Sequence, residues 1–483
     1  MKSSLTCRIG VALVLALLAH PAWPATPKAH YTIVVSQSTQ ADAGWKKVVE
    51  ALKAKHQASV VTYEREVTEA LLKLRAGPYS RYVCFVARPE EATRKLVGQV
   101  HRMMRQLDED PYTDGFWGIL TGYDATNALR IAQYRKPLTV RKVASGTEIA
   151  LEQCEEGFWY DELVKNKHVR KDKGGPVRVL QGPDDTTEAL VKSLNEYQPD
   201  LFVTSGHATE RDWMIGFRYQ NGFFKCAQGQ LYGEDTRKQK HPIHSPNPKV
   251  YLPIGNCLMG HIDSREAMAL AWMNSAGVMQ MIGYTVPTWY GYAGWGCLDY
   301  FVEQPGRYTF TEAFFANQHA LIHRLKTYFP GTERFDPDTA GSNSPPVVVT
   351  EQAKAAGLSA NDARGLFFDR DVVAFYGDPA WVARMAEGPR AYEQTLEVKK
   401  DRWTLTLKLN RGERSFAPVN TNGSQRGGRP IVAFLPVRVR DVRVEEGADL
   451  QPEIADDFIL IPNPRQADPH RVYRVVFRAT PLP

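Results

Sequence analysis

Leu201-Phe202-Val203-Thr204-Ser205-Gly206-His207 and, fifty residues on, Val250-Tyr251-Leu252-Pro253-Ile254-Gly255-Asn256-Cys257 are two short apolar runs that each end in a glycine and a reactive side chain. Neither run alternates with polar residues. Short, continuous, β-branched and aromatic runs are buried on both faces, which is the mark of strands inside a parallel sheet. One hairpin-like excursion separates them (Trp213–Tyr219 and Phe223–Gln230 about Asn221-Gly222), so the two strands are expected to be sheet neighbours.

The same texture extends outward in both directions. Strand-like Tyr31–Val35, Val60–Tyr63, Tyr82–Ala87, Phe116–Leu120 and Leu138–Val143 alternate with helical spacing at Trp45–Lys55, Val67–Leu74, from Pro89 through Leu107, and at Ala125–Gln133. After the basic Lys171–Pro176 segment the rhythm resumes with strand Val177–Leu180 and helix Thr186–Tyr197. Beyond the second reactive run come helix Arg265–Asn274, strand Val278–Tyr284, helix Thr311–Tyr328, a Pro/Gly/Ser/Asn-rich loop from Phe329 to Pro346, and a last strand at Val372–Tyr376. This predicts an α/β/α three-layer fold on a mostly parallel sheet. Past Pro389 strict alternation takes over (Trp403, Leu405, Leu407, Leu409; Val437, Val439; Val442, Val444), predicting a C-terminal β-sandwich. The expected boundaries are 26–145 and 146–388 for two α/β subdomains and 389–483 for the sandwich.

Residues 1–25 carry Lys2 and Arg8 ahead of an apolar Ile9–Leu18 stretch, too short to span a bilayer and proportioned like a secretory signal peptide. A secreted or periplasmic location follows as an expectation. The remaining 458 or so residues hold five cysteines, an odd and sparse set that does not suit a disulfide-stapled scaffold. A net charge of +6 from 60 basic and 54 acidic residues, dispersed along the chain, does not suit nucleic-acid binding. No run outside the N-terminus is long enough to span a membrane.

In doubly wound sheets reactive groups gather at the carboxyl ends of parallel strands. His207 and Cys257 would meet there as a base and a thiol nucleophile, with the N–H groups of Ala208 and Cys257 as oxyanion donors. The chain is expected to enter a helix directly after Cys257, which would favour the thiolate. Glu210 or Asp212 could orient the imidazole, and Cys297 is a rival nucleophile. The opposing reading of Cys257 is a buried structural cysteine. His207, Cys257, His261 and Asp263 could be assembled into a zinc site, but no CxxC, HExxH or HxxxH spacing is present, and neither metal nor cofactor is expected.

Gly206-His207-Ala208 and Gly255-Asn256-Cys257-Leu258-Met259-Gly260, each after a buried strand, resemble the dyad segments of gingipain-type cysteine peptidases of the caspase, legumain and clostripain grouping. Gly118-Ile119-Leu120-Thr121-Gly122, Ala276-Gly277-Val278 through Thr285, and Tyr376-Gly377-Asp378-Pro379-Ala380 also resemble family segments, so the likeness covers roughly residues 31 to 385. The resemblance implies a caspase-like catalytic domain followed by an Ig-like sandwich. It implies His207 as general base or acid, Cys257 as acyl-forming nucleophile, and a polypeptide substrate. Tyr284, Thr285, Trp289 and Tyr290, with Trp295 nearby, are the candidate specificity loop, in which no acid can be named. The family has His-Gly where this chain has His207-Ala208, which favours the alternative of a catalytically inactive binding or adhesion protein on the same scaffold.

Overall fold

The computed structural model describes residues 30–336, 345, 347–423 and 425–482. The expected signal peptide (1–25), and residues 337–344 and 346 of the expected Phe329–Pro346 loop, lie outside the described residues.

Twelve strands form one central sheet. In chain order they are β1 (Tyr31–Ser36), β2 (Ser59–Tyr63), β3 (Tyr82–Val86), β4 (Phe116–Leu120), β5 (Lys142–Ser145), β6 (Glu156–Tyr160), β7 (Lys167–Lys171), β8 (Val177–Gln181), β9 (Leu201–Thr204), β10 (Lys249–Pro253), β11 (Val278–Tyr284) and β12 (Val373–Gly377). Their spatial order is β2-β1-β3-β4-β12-β11-β10-β9-β5-β6-β7-β8. Neighbours from β2 to β4 and from β11 to β6 pair in parallel, whereas β12 runs antiparallel to β11. The fold is therefore mixed α/β on a mostly parallel sheet.

β1, β4, β9, β10, β11 and β12 are buried along their whole length, so both sheet faces are covered. One group of helices comprises α1 (Ala43–His56), α3 (Ala125–Gln133) and α4 (Met268–Ser275), the last two joined by Asn127 Nδ2 donating to Met273 O. The other comprises α2 (Arg94–Met104), α5 (Tyr292–Phe301), α6 (Phe310–Tyr328) and α7 (Ala360–Arg370). Thr309 caps α6 in a reciprocal box with Glu312, satisfying N–H groups that a helix start leaves open.

Several sequence expectations shift. The α2 helix starts at Arg94 with Thr93 as its cap, not at Pro89. Leu138–Val143 is two strands, Leu138–Val140 pairing outside the main sheet with Ala383–Met385 and β5 inside it. β7 and β8 do not continue the parallel rhythm; they form an antiparallel extension, and Val179 on β8 is 72% exposed. The excursion between β9 and β10 is a four-stranded antiparallel sheet: Asp212–Met214 pairs with Phe223–Ala227 across a connection that contains Asn221-Gly222, and a second, tighter hairpin turns at Gln228-Gly229. The stretch around Trp295, expected as part of an aromatic loop, is the helix α5. Every one of its residues is buried, and tertiary packing supplies what weak local helix propensity does not.

The C-terminal strands make a four-stranded antiparallel sheet (Tyr392–Lys399, Arg402–Leu409, Tyr473–Pro481, Val439–Glu446) and a three-stranded one (Ile431–Phe434, Phe458–Ile461, Glu453–Ile454). The smaller sheet is buried on both faces. Val432, Phe458 and Leu460 enter the main core, while Ile431, Ala433, Ile459 and Ile461 enter a second core with Trp403, Leu405 and Phe477. The C-terminal sheets are thus packed into the α/β body through shared strands.

Candidate active site

β9 and β10 are parallel neighbours in the register Thr204–Pro253, and Ile254 N donates to Thr204 O at 2.9 Å. Beyond the strands the contact is carried by one side chain. Asn256 Nδ2 donates to Gly206 O at 3.2 Å and its Oδ1 accepts from Thr204 Oγ1 at 2.7 Å, fully buried. The residue before Cys257 is therefore bonded to the residue before His207, and both reactive side chains leave the same rim of the sheet. Gly206 turns the chain with φ +97°, a conformation that a side chain would oppose.

The His207 imidazole is exposed and stacks on Phe217, ring centroids 4.6 Å apart at 26°. Phe217 is itself held from behind, its N–H donating to Glu162 O at 2.6 Å. Cys257 is half-buried and free, and its Sγ accepts from Thr288 N at 3.2 Å. Ala208 meets Trp213 in an antiparallel bridge whose hydrogen bonds are made by His207 O and Thr209 N, so the bridge does not use the Ala208 N–H.

The expected helix after Cys257 is absent. Cys257 to Gly260 form a turn, Leu258 takes φ +56°, and the next helix starts only at Met268. Leu258 N to Val286 O (3.1 Å), Gly260 N to Tyr284 O (2.9 Å) and Tyr376 Oη to Gly260 O (2.7 Å) hold the turn. A non-glycine residue at positive φ is held only where its surroundings over-determine it. The sulfur's donor comes from the β11 exit loop, not from a helix dipole.

Beside the strand exits opens a pocket of about 270 Å³ whose lining includes their neighbours Gly206, Phe217, Gly255 and Thr288 but neither His207 nor Cys257. Ser205, Gly206 and Gly255 line its strand side, Thr288, Trp289 and Trp295 one wall, and Thr147, Glu148 and Glu162 another. Glu162 follows β6. Its Oε1 accepts from Thr147 Oγ1 at 2.9 Å, while its Oε2 is buried without a hydrogen-bond partner. Burial pushes its carboxyl up to about 7, against the pull of the Thr147 hydrogen bond. This acid was missed in the sequence, where nothing in its spacing marks it. The one available signal was its position just past a strand in a sheet whose rim carries the site.

Of the four candidate specificity residues only Trp289, 47% exposed, lines the pocket. Tyr284 is fully buried and donates to Asp369 Oδ2 (3.1 Å), Thr285 donates to Val372 O (2.9 Å), and Tyr290 donates to Asp362 Oδ1 (3.0 Å). The physical reason for this correction is α7, which the sequence reading did not contain. It covers that side of the loop and takes up the hydroxyls of Tyr284 and Tyr290, while Thr285 bonds the connection that follows it. Trp295 does reach the pocket, from α5 rather than from a loop. Cys297 is buried in α5 with its thiol pushed up by burial. Asp263 of the zinc alternative is held by Arg211 through two bonds of 2.8 and 2.7 Å. Elsewhere carboxylate oxygens of Asp108, Asp114 and Asp456 lie within 4.8 Å of one another, with Arg438 among them, 3.1 Å from Asp108 and 3.6 Å from Asp114.

No protein-family model matches the chain, and no curated protein matches it. Among solved structures, the chain is similar to the crystal structure of the Arg-specific cysteine proteinase gingipain R, with 94% of this chain and 98% of that one covered at 10% identity and a TM-score of 0.44. Among the described residues no helix is long and apolar enough to cross a membrane.

Proposed function

We propose that the chain is an exported cysteine endopeptidase, secreted or periplasmic, with Cys257 as nucleophile and His207 as its proton shuttle. The observation that carries this reading is the Asn256–Gly206 hydrogen bond, which ties the two reactive strand exits together beside a pocket. His207 takes the thiol proton as sulfur attacks the peptide carbonyl carbon. The carbonyl oxygen becomes an oxyanion facing the N–H groups of Ala208 and Cys257. The C–N bond breaks as His207 returns the proton to the leaving amine, and water then hydrolyses the thioester, releasing the acid and restoring the thiol.

Glu162 supports a preference in the adjacent pocket. A buried carboxyl with one oxygen unpartnered is suited to a substrate side chain that brings a cation and hydrogen-bond donors, such as arginine or lysine.

Alkylation and turnover test the reading together. Iodoacetamide is expected to modify Cys257 first, because burial pushes the Cys154 and Cys226 thiols up to about 12 and those of Cys84 and Cys297 higher still. Cys257→Ala is expected to abolish cleavage in a positional-scanning peptide library, and His207→Ala to lower it by about a thousandfold or more. A wild-type chain that binds peptides yet cleaves none would favour the inactive binding scaffold instead.

A further inference from the structure

The remaining wall of the pocket comes from the other end of the chain. Asn422 and Gly423, in the connection between the C-terminal strands Arg402–Leu409 and Ile431–Phe434, line it beside Trp295. Asn420 Nδ2 and Asn422 Nδ2 donate to the two oxygens of Glu148 at 3.1 and 2.8 Å, occupying the second carboxylate of the pocket. Gly423 has φ +119°, and a Cβ there would stand 2.8 Å from the Trp295 ring, so this strap lies flat on the indole.

The strap is pinned by charge. The Arg426 side chain is fully buried with its guanidinium 5.0 Å over the Trp295 ring, donates to Asp299 Oδ1 at 2.9 Å, and pairs with Glu303. Arg426 Nη1 also donates to Asn422 O at 3.1 Å, the residue at the pocket rim. Gly427 N (2.9 Å) and Arg429 Nε (2.8 Å) both donate to Asp299 Oδ2. Asp299 and Trp295 are one turn apart on α5, so the same helix carries a pocket wall and the anchor of the strap that faces it.

We propose that this C-terminal strap is the specificity-determining wall of the substrate pocket, with Arg426 as its positioning residue. The strap closes the pocket around a long side chain and, by occupying Glu148, leaves Glu162 as the carboxylate that reads it. The C-terminal sheets then act on substrate choice rather than on docking alone. The inference rests on the peptidase reading above, and its test separates the two.

Full-length wild type, Arg426→Gln and Asn422→Ala would be compared on peptide anilides ending in arginine, norleucine or alanine, alongside iodoacetamide alkylation of Cys257 and thermal unfolding. Arg426→Gln is expected to raise KM for the arginine and norleucine peptides about tenfold with kcat within about twofold, and to shrink their advantage over alanine, while Cys257 alkylates at the wild-type rate. Asn422→Ala, which removes no buried ion, is expected to free one oxygen of Glu148, the other still held by Asn420, and to raise the preference for arginine over norleucine by about threefold, and it keeps the test alive if Arg426→Gln does not fold. An active wild type whose side-chain preference survives both changes, with only the melting temperature lowered, would overturn the strap proposal alone. A wild type that alkylates at Cys257 but cleaves none of the peptides would overturn the peptidase reading, and the strap proposal with it.

Discussion

Asp378 and Glu162 are acids placed just past a strand of the central sheet, Asp378 fully buried and Glu162 half-buried with one oxygen shut from solvent, and they have opposite surroundings. Asp378, after β12, faces burial that would push its carboxyl up, but His56 Nε2 at 2.7 Å and Lys55 Nζ at 2.9 Å hold it well below the usual carboxylate range. Tyr31 Oη and Ala380 N complete its partners at 2.9 and 3.0 Å, which ties β1 and the end of α1 to the exit of β12. Glu162 has only the hydroxyls of Thr147 and Ser205 beside it and, among the described residues, no ion pair, and burial carries it the other way, to about 7. An acid whose charge the chain answers holds the fold together. One whose charge the chain leaves open is poised for a group from outside.

The contrast can be broken from either side. Asp378→Ala strands Lys55 and His56 in a buried site and is expected to lower stability by about 3–5 kcal/mol, read as a shifted midpoint in urea unfolding. A loss of well under 1 kcal/mol would show that the knot is not structural. Glu162→Gln is expected to be more stable than wild type at neutral pH, where the wild-type carboxyl has lost its contribution, and to cut kcat/KM for basic peptides about 100-fold relative to neutral ones, roughly 2.7 kcal/mol of selectivity. Equal activity on both peptide classes in wild type would sink Glu162 as the reader of the pocket.

Protonation sharpens the same contrast with smaller effects. Glu162 ionises as pH rises through about 7, so the ratio of basic to neutral peptide cleavage is expected to climb several-fold between pH 6 and 8, and to be flat in Glu162→Gln. Taking the ratio cancels any pH dependence common to both peptides. Stability moves in opposite directions at the two acids. The raised Glu162 contributes below its unfolded value of about 4.3 and loses that contribution as pH climbs toward 7. The depressed Asp378 contributes above its unfolded value of about 3.9 and loses it as pH falls. Unfolding midpoints of the two variants against wild type should therefore converge at acid pH for Asp378→Ala and diverge toward neutral pH for Glu162→Gln.

Asp378 was visible in the sequence as part of a Gly-Asp-Pro segment after a strand, although its partners were not. His207 and Cys257 were legible because strand burial and a following glycine are local properties, and a period-free apolar run states them without help from the rest of the chain. Glu162, Thr288 and the strap residues Asn422, Gly423 and Arg426 were not, since each comes to the pocket only where separate segments converge. The helix expected after Cys257 failed for a related reason. A Leu258 at positive φ and a turn clamped by Val286, Tyr284 and Tyr376 depend on contacts more than twenty residues away.

What the residues alone determined was the alternation of strand and helix, the strand-only tail, and which two strand ends carry a thiol and an imidazole, because hydrophobic period and turn chemistry are written locally. What only the tertiary structure decided was the order of the strands, the helices at Tyr292–Phe301 and Ala360–Arg370, and the passage of the C-terminal chain over the pocket. Those outcomes rest on long-range burial and on which charges find partners, such as Arg426 with Asp299, and no stretch of sequence contains both halves of such a pair.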